Sequence, residues 1–186
     1  MENFNQLIEQ LGLETSLTLE EIPNIDLYMD QVIQLFENTF AESKRNDEEK
    51  VLTKTMINNY AKGKLIFPIK NKKYSKEHLI LISLIYQLKG ALSINDIKIL
   101  LDGVNKKIIK EAINLDSFYN TYLNLTNKNV EDFKMDLQDR ESEVKESMDD
   151  VALYLEQVLM ISSLVHMSNL YRKAAEKLID QIQIEK

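Results

Sequence analysis

Only four glycines and two prolines interrupt this chain of 186 residues, and the stretch 129–184 contains neither. Glycine punctuates structure by reaching left-handed backbone, proline by losing its N–H, and a sheet-rich fold needs such residues at every turn. So sparse a supply predicts long helices. The length suits one domain with a sound core, or a small domain with an accessory one.

Cysteine is absent, which excludes disulfides, thiolate metal sites and thiol redox chemistry. The start, MENFNQLIEQLGLE, is acidic and amphipathic, without the basic residues and apolar run of a secretory signal. No apolar run has bilayer-spanning length: LILISLIYQL stops after ten residues, and VALYLEQVLMISSLV carries Glu156 and Gln157. A cytoplasmic protein with no membrane contact is expected.

Charge is unevenly placed. The formal net charge is -7, yet residues 1–49 carry two basic and twelve acidic groups, whereas 50–78 carry eight lysines and one acid, Glu77. Residues 129–186 are acidic again, with seven basic and thirteen acidic groups. The chain is a strong dipole with a lysine island in its middle.

Residues Phe4, Leu7, Ile8 and Leu11 predict a short helix or arm ending at Gly12. After Pro23, the spacing of Ile25, Tyr28, Met29, Val32, Phe36 and Phe40 predicts a helix over 26–42, capped by Asn24 or Asp26. A solvated connection, SKRNDEE, follows. Thr53 then caps a short helix that Gly63 closes; Met56, Ile57 and Tyr60 share its core side, and Thr55, Asn58, Asn59 and Lys62 fall on the opposite arc. LIFPIKNKKYS reads as a small two-stranded hairpin with a basic tip. Ser75 opens a helix that stops near Gly90, and Ser93 with Asp96 resembles a capping box for a helix ending at Gly103. Helical pattern resumes from Ile108 to about Leu125. Leu137, Val144, Met148, Val151, Leu155, Val158 and Val165 then approximate a heptad seam with gaps at Glu141 and Ser162, as expected of long helices buried against a partner surface.

Helix, connection, short polar-faced helix, basic hairpin and two helices is the order of a winged helix-turn-helix. Such a module sets its second helix in the major groove, where asparagine makes a bidentate contact to adenine and lysines hold phosphates. The segment TMINNYAKGKLIFPIKNKKYSKEHLILISLIYQLKGALSINDIKILL also resembles the DNA-binding region of MerR-type transcription regulators. Ile57, Tyr60, Leu65, Ile66, Pro68, Tyr74, Ser75, Ser93, Ile94 and Ile97 fall on that pattern. The chain departs from it at Asn58, where those regulators carry arginine, at Gly63, one place early, at Asn71 and Lys72 in the wing, and by one extra residue between Gly90 and Ser93. More closely, residues 22–103 resemble a bacterial domain-of-unknown-function family, DUF1836.

The expected architecture is mainly α: an N-terminal helix or arm at 1–21, a MerR-like winged helix-turn-helix with a small β-hairpin wing at 22–103, and an all-helical domain at 104–186. The expected function is a DNA-binding transcription regulator and not an enzyme. It would contact double-stranded DNA through Lys54, Thr55, Asn58, Asn59, Lys62, Lys64, Lys70, Lys72 and Lys73, and form a homodimer through its C-terminal helices. No phosphate loop, paired-histidine zinc motif or nucleophile elbow is present, and neither a metal nor a cofactor is expected. His78 and His166 stand alone and read as ordinary surface or core residues; Tyr60 and Tyr74 read as packing residues. The alternative is an all-helical interaction module, an adaptor or anti-regulator that does not bind DNA, to which the acidic balance points.

Overall fold

The computed structural model describes residues 8–146 and 153–182. Its elements are β1 (Leu27–Tyr28), α1 (Met29–Thr39), a 3-10 turn (Ala41–Ser43), α2 (Lys54–Lys62), β2 (Lys73–Tyr74), α3 (Lys76–Leu88), α4 (Ile94–Ile109), α5 (Leu115–Glu146) and α6 (Leu153–Ile179). The protein is thus mainly helical with one small two-stranded antiparallel sheet. Among the expected features, Phe4, Leu7, Met148 and Val151 lie outside the described residues.

Helix α3 is the centre of the molecule. Every residue from His78 to Ile85 is buried, and a helix without a polar face has to be enclosed on all sides. Phe36 of α1, Ile57 and Tyr60 of α2, Ile97 and Leu101 of α4 and Tyr119 of α5 belong to the same core, which also takes in Leu17 and Ile179. Packing therefore runs across residue 103 and into the N-terminal segment. The Tyr119 hydroxyl donates to the carbonyl of Leu17 at 2.7 Å. A smaller cluster of Ile8, Leu137 and Met160 joins α5 to α6, and Arg140 there bonds Asp136 and the Ser163 hydroxyl.

Several local expectations need correction. The helix expected over 26–42 begins only at Met29, because Leu27 and Tyr28 are extended and pair with Tyr74 and Lys73. Its first turn is capped by Gln31, whose Oε1 accepts the Tyr28 N–H at 2.8 Å, and not by Asn24 or Asp26. The basic hairpin is likewise different: β2 pairs with β1, 45 residues upstream in register, and not with a strand inside 65–75. What remains of the hairpin is its tip, where Lys73 N–H donates to Lys70 O at 2.9 Å and a bridge joins the two residues. Asn71 and Lys72 between them have φ of 52° and 59°, the paired positive values of a type I′ turn.

Gly103 does not end its helix. Ile97, Leu101 and Asn105 keep the buried stripe running through it, and α4 continues to Ile109; tertiary burial overrides the weak helix propensity of one glycine, about 1 kcal/mol. The chain breaks instead at 110–114, where Glu111 is left-handed with φ 53° and the Asn114 side chain accepts the Ser117 N–H at 3.0 Å to start the next helix. From there α5 runs unbroken through Leu125 and Asn129, where two separate segments were expected.

Candidate nucleic-acid interface

Thr53 caps α2 as expected, its Oγ1 accepting the Met56 N–H at 3.2 Å. Ile57 and Tyr60 are buried and Met56 is half-buried, which fixes the rotation of the helix. Thr55, Asn58, Asn59 and Lys62 consequently stand exposed on one outward arc, with Lys54 at its start. Lys64, Lys70 and Lys72 are exposed as well, and Lys73 is half-buried.

The end of α2 works differently from the expectation. Gly63 has an ordinary helical φ of -72°, while Lys64 takes the left-handed position with φ 60°. Leu65 N–H donates to Tyr60 O at 2.9 Å and Lys64 N–H to Ala61 O at 3.1 Å, the two bonds of a Schellman end. A Cβ at Gly63 would lie 2.7 Å from Leu65 Cδ1 and 3.0 Å from Asn59 O, so a larger residue there would have to displace the Leu65 side chain.

Two distant residues hold the approach to α2. The buried Val51 is clamped on both sides of its backbone, its N–H donating to Glu37 Oε1 at 2.9 Å and its carbonyl accepting from Lys89 Nζ at 3.0 Å. Glu37 also pairs with Lys44 at 2.7 Å. The Lys44 bond, helped by the Val51 N–H, holds the Glu37 carboxyl below its ordinary range. Burial pushes the Lys89 ammonium down, and it lies 4.4 Å from the centroid of the Tyr86 ring.

His78 holds the other side. It is a core residue, stacked at 3.8 Å between ring centroids on Phe67. Its Nδ1 accepts the Ser75 N–H at 3.1 Å, which leaves Nε2–H to donate to Phe67 O at 3.2 Å. Burial holds the imidazole below its ordinary pKa, and this pair of bonds needs the neutral ring. Helix α3 and the segment leading to the basic turn are thereby joined through one side chain. Tyr60 and Tyr74 are packing residues, each buried and each with its phenol pushed up by that burial.

Three of the nine expected contact residues come together. Lys54, Asn58 and Lys72 line one groove of about 540 Å³ with Tyr28 and Asp30. Lys70 lines a different hollow, beside Glu77 and Ile109. Tyr28 and Asp30 were missed from sequence. Helical spacing puts Tyr28 on a helix face, but sheet pairing leaves its ring exposed, with the Lys73 ammonium 5.5 Å from the ring centroid. Asp30 pairs with Lys54 at 2.8 Å in full view of solvent, an arrangement that contributes little to stability but occupies a cation of the groove. Only a β-strand forecast for LY at 27–28 could have signalled either residue. No cluster of metal-ligating side chains occurs among the described residues, and no described helix is long and apolar enough to cross a membrane.

Fold and groove define a class: a mainly helical protein whose small sheet holds a lysine turn beside a short helix with an outward Asn, Thr and Lys face. Residues 17–122, more than half of the chain, match the family described as Domain of unknown function (DUF1836), and the chain belongs to that family. No curated protein and no solved structure matches it.

Proposed function

We propose that the protein is a DNA-binding transcription regulator that acts as a dimer, with α2 as the reading helix of a MerR-like winged helix-turn-helix and the 70–73 turn as a minimal wing. The observation that carries this reading is the groove shared by Lys54, Asn58 and Lys72. It brings an amide able to pair with an adenine edge into one groove with two lysines that suit flanking phosphates. A second point supports it: Lys64, at the place where MerR-type regulators carry their glycine, adopts the left-handed backbone that glycine favours. Tyr28 joins the proposed contact set as a hydroxyl donor to phosphate. Because 50–78 contains no arginine, phosphate contacts carry most of the affinity and asparagines read A·T-containing positions. Dimer pairing through α6 supplies the second half-site that so few base contacts require.

Fluorescence anisotropy with random and genomic-fragment duplexes, over a range of salt, tests the proposal. Binding is expected to weaken steeply with salt and further in a Lys54/Lys72→Ala variant, and Asn58→Ala is expected to lose more affinity for a preferred duplex than for a random one. No binding at low salt would defeat the reading. One observation favours the alternative of a protein-interaction module: the Asp30–Lys54 pair places an acid within the groove, where a polyanion would be repelled.

A further inference from the structure

A second cavity lies away from the lysine turn, none of whose residues line it. It measures about 350 Å³ and is bounded by Phe40 and the 3-10 turn after α1, by α3, by α5 from Tyr119 to Val130 and by the segment 11–16. That volume falls within the range of small-molecule sites, about 300–1,000 Å³, with room for roughly a dozen water-sized groups at about 30 Å³ each. Four aromatic rings stand in its walls: Phe40 and Tyr86 lie 4.4 Å apart between centroids, and Tyr119 and Tyr122 stack at 5.9 Å.

Half of the lining is polar, Ser43, Thr126, Asn127 and Asn129 among it, but the one buried polar side chain is specific. Ser83, on α3, is buried and lines the cavity. The Tyr119 phenol has one proton and gives it to the Leu17 carbonyl, which can only accept; the 2.9 Å contact between Tyr119 and Ser83 therefore uses the Ser83 proton. The Ser83 oxygen keeps a lone pair at a buried position on the cavity wall, where it can accept from a donor placed in the cavity. Gln87 stands at the exposed rim one turn further along α3 and offers an amide.

Charge is nearly absent. Glu14 is the one ionised group on the boundary, and its exposed carboxylate is bound by Lys134 at 2.7 Å outside. The same segment 12–16 also borders an open acidic groove with Glu9, Glu21 and Glu42. Burying an unpaired charge costs several kcal/mol, so a charged ligand is disfavoured inside.

The segment 11–16 behaves as a strap over this space. Gly12 has φ 57° and packs so closely on the 3-10 turn that a Cβ would stand 2.8 Å from Glu42 O. Its downstream end is tied by Leu17, buried and bonded to Tyr119. The strap is pinned at both ends across the cavity.

The geometry points to a binding site for a neutral, planar aromatic molecule carrying a hydrogen-bond donor, held under the 11–16 strap between Tyr86, Tyr122 and Ser83. Occupancy would tie the strap, the 3-10 turn, α3 and α5 together.

The test uses the full chain and three probes of one shape: naphthalene-2-carboxamide, methyl 2-naphthoate and 2-naphthoate. The carboxamide is expected to raise the melting temperature in a concentration-dependent way and to slow hydrogen exchange of 11–16. The ester, lacking a donor, and the anion are expected to bind on the order of tenfold more weakly or worse. Thr126→Phe, which fills the cavity from a half-buried α5 position, is expected to abolish the carboxamide response. Exchange at 11–16 in the unmodified chain keeps the test decisive if that variant folds poorly. Equal response to all three probes, an undiminished response in folded Thr126→Phe, or no slowing at 11–16 at saturating carboxamide would overturn the proposal.

Discussion

Helices α3 and α6 have similar sequences and opposite fates. Both carry apolar residues around most of their circumference, LILISLIYQL in one and LYLEQVLMISSLV in the other. The first is sealed from His78 to Ile85 by α1, α2, α4 and α5. In the second only Met160 and Ile179 are buried, and Tyr154, Val158, Ile161 and Val165 form an exposed stripe at alternating spacings of four and three. The comparison teaches that hydrophobicity all round a helix states a need for cover without saying who supplies it. For α3 the chain supplies it; for α6 the proposed dimer partner would.

The sharpest test of this contrast is truncation on each helix. Leu81→Ala removes a fully buried side chain and should cost about 2–5 kcal/mol, whereas Ile161→Ala should stay within about 0.5 kcal/mol in dilute protein, both read from urea denaturation. If Ile161→Ala instead destabilises strongly and more so at high protein concentration, its face is covered by a second copy. Sedimentation of Val158→Asp/Val165→Asp addresses the same face: a dimeric wild type and a monomeric variant are expected, and an unchanged state would remove α6 from the interface.

Gly12→Ala comes next, because it strains a left-handed residue by about 1–2 kcal/mol and presses a Cβ on Glu42 O. A loss confined to faster hydrogen exchange at 8–17 would show that the strap and the α3 core unfold separately. Loss of global stability would show that they share one cooperative unit.

Acid should then weaken the α3 side before its carboxylates are reached. The folded pKa of His78 is depressed, so just below the ordinary histidine value the unfolded state binds more protons and stability falls as pH falls. Glu37 is depressed too; its contribution is complete above the ordinary carboxylate pKa and disappears at lower pH, as the folded carboxyl takes up its proton. The stability difference between wild type and Glu37→Gln, about 1–3 kcal/mol near neutrality because the clamp on buried Val51 is weakened, should therefore shrink as pH drops. A difference independent of pH would assign the effect to packing.

One substitution is expected to bring a gain. A Cβ at Gly103 meets nothing within 4 Å, and the position is mid-helix, so Gly103→Ala should stabilise by up to about 1 kcal/mol. Thermal denaturation beside Gly12→Ala would separate a glycine held by geometry from one that is not.

Much of the candidate interface was legible. Thr53, Ile57 and Tyr60 set the cap and inward face of α2 by local rules, and their positions alone turn Thr55, Asn58, Asn59 and Lys62 outward. Tyr28 and Asp30 were not legible, because their place in the groove depends on pairing with Lys73 far along the chain. The clamp on Val51 was hidden for the same reason, since Glu37 and Lys89 approach it from different elements.

Local information determined what depends on neighbours within a turn: the helical bulk, the caps at Thr53 and Ser93, and the outward arc of α2. Their causes are hydrogen bonds and side-chain directions spanning three or four residues. Tertiary structure decided that β2 joins β1, that α4 runs through Gly103, and that Ser83 and Tyr119 face a cavity beneath 11–16. Each of these turns on what packs against a segment from elsewhere in the chain. Burial there outweighs the fraction of a kcal/mol to 1 kcal/mol that local propensity contributes at a residue.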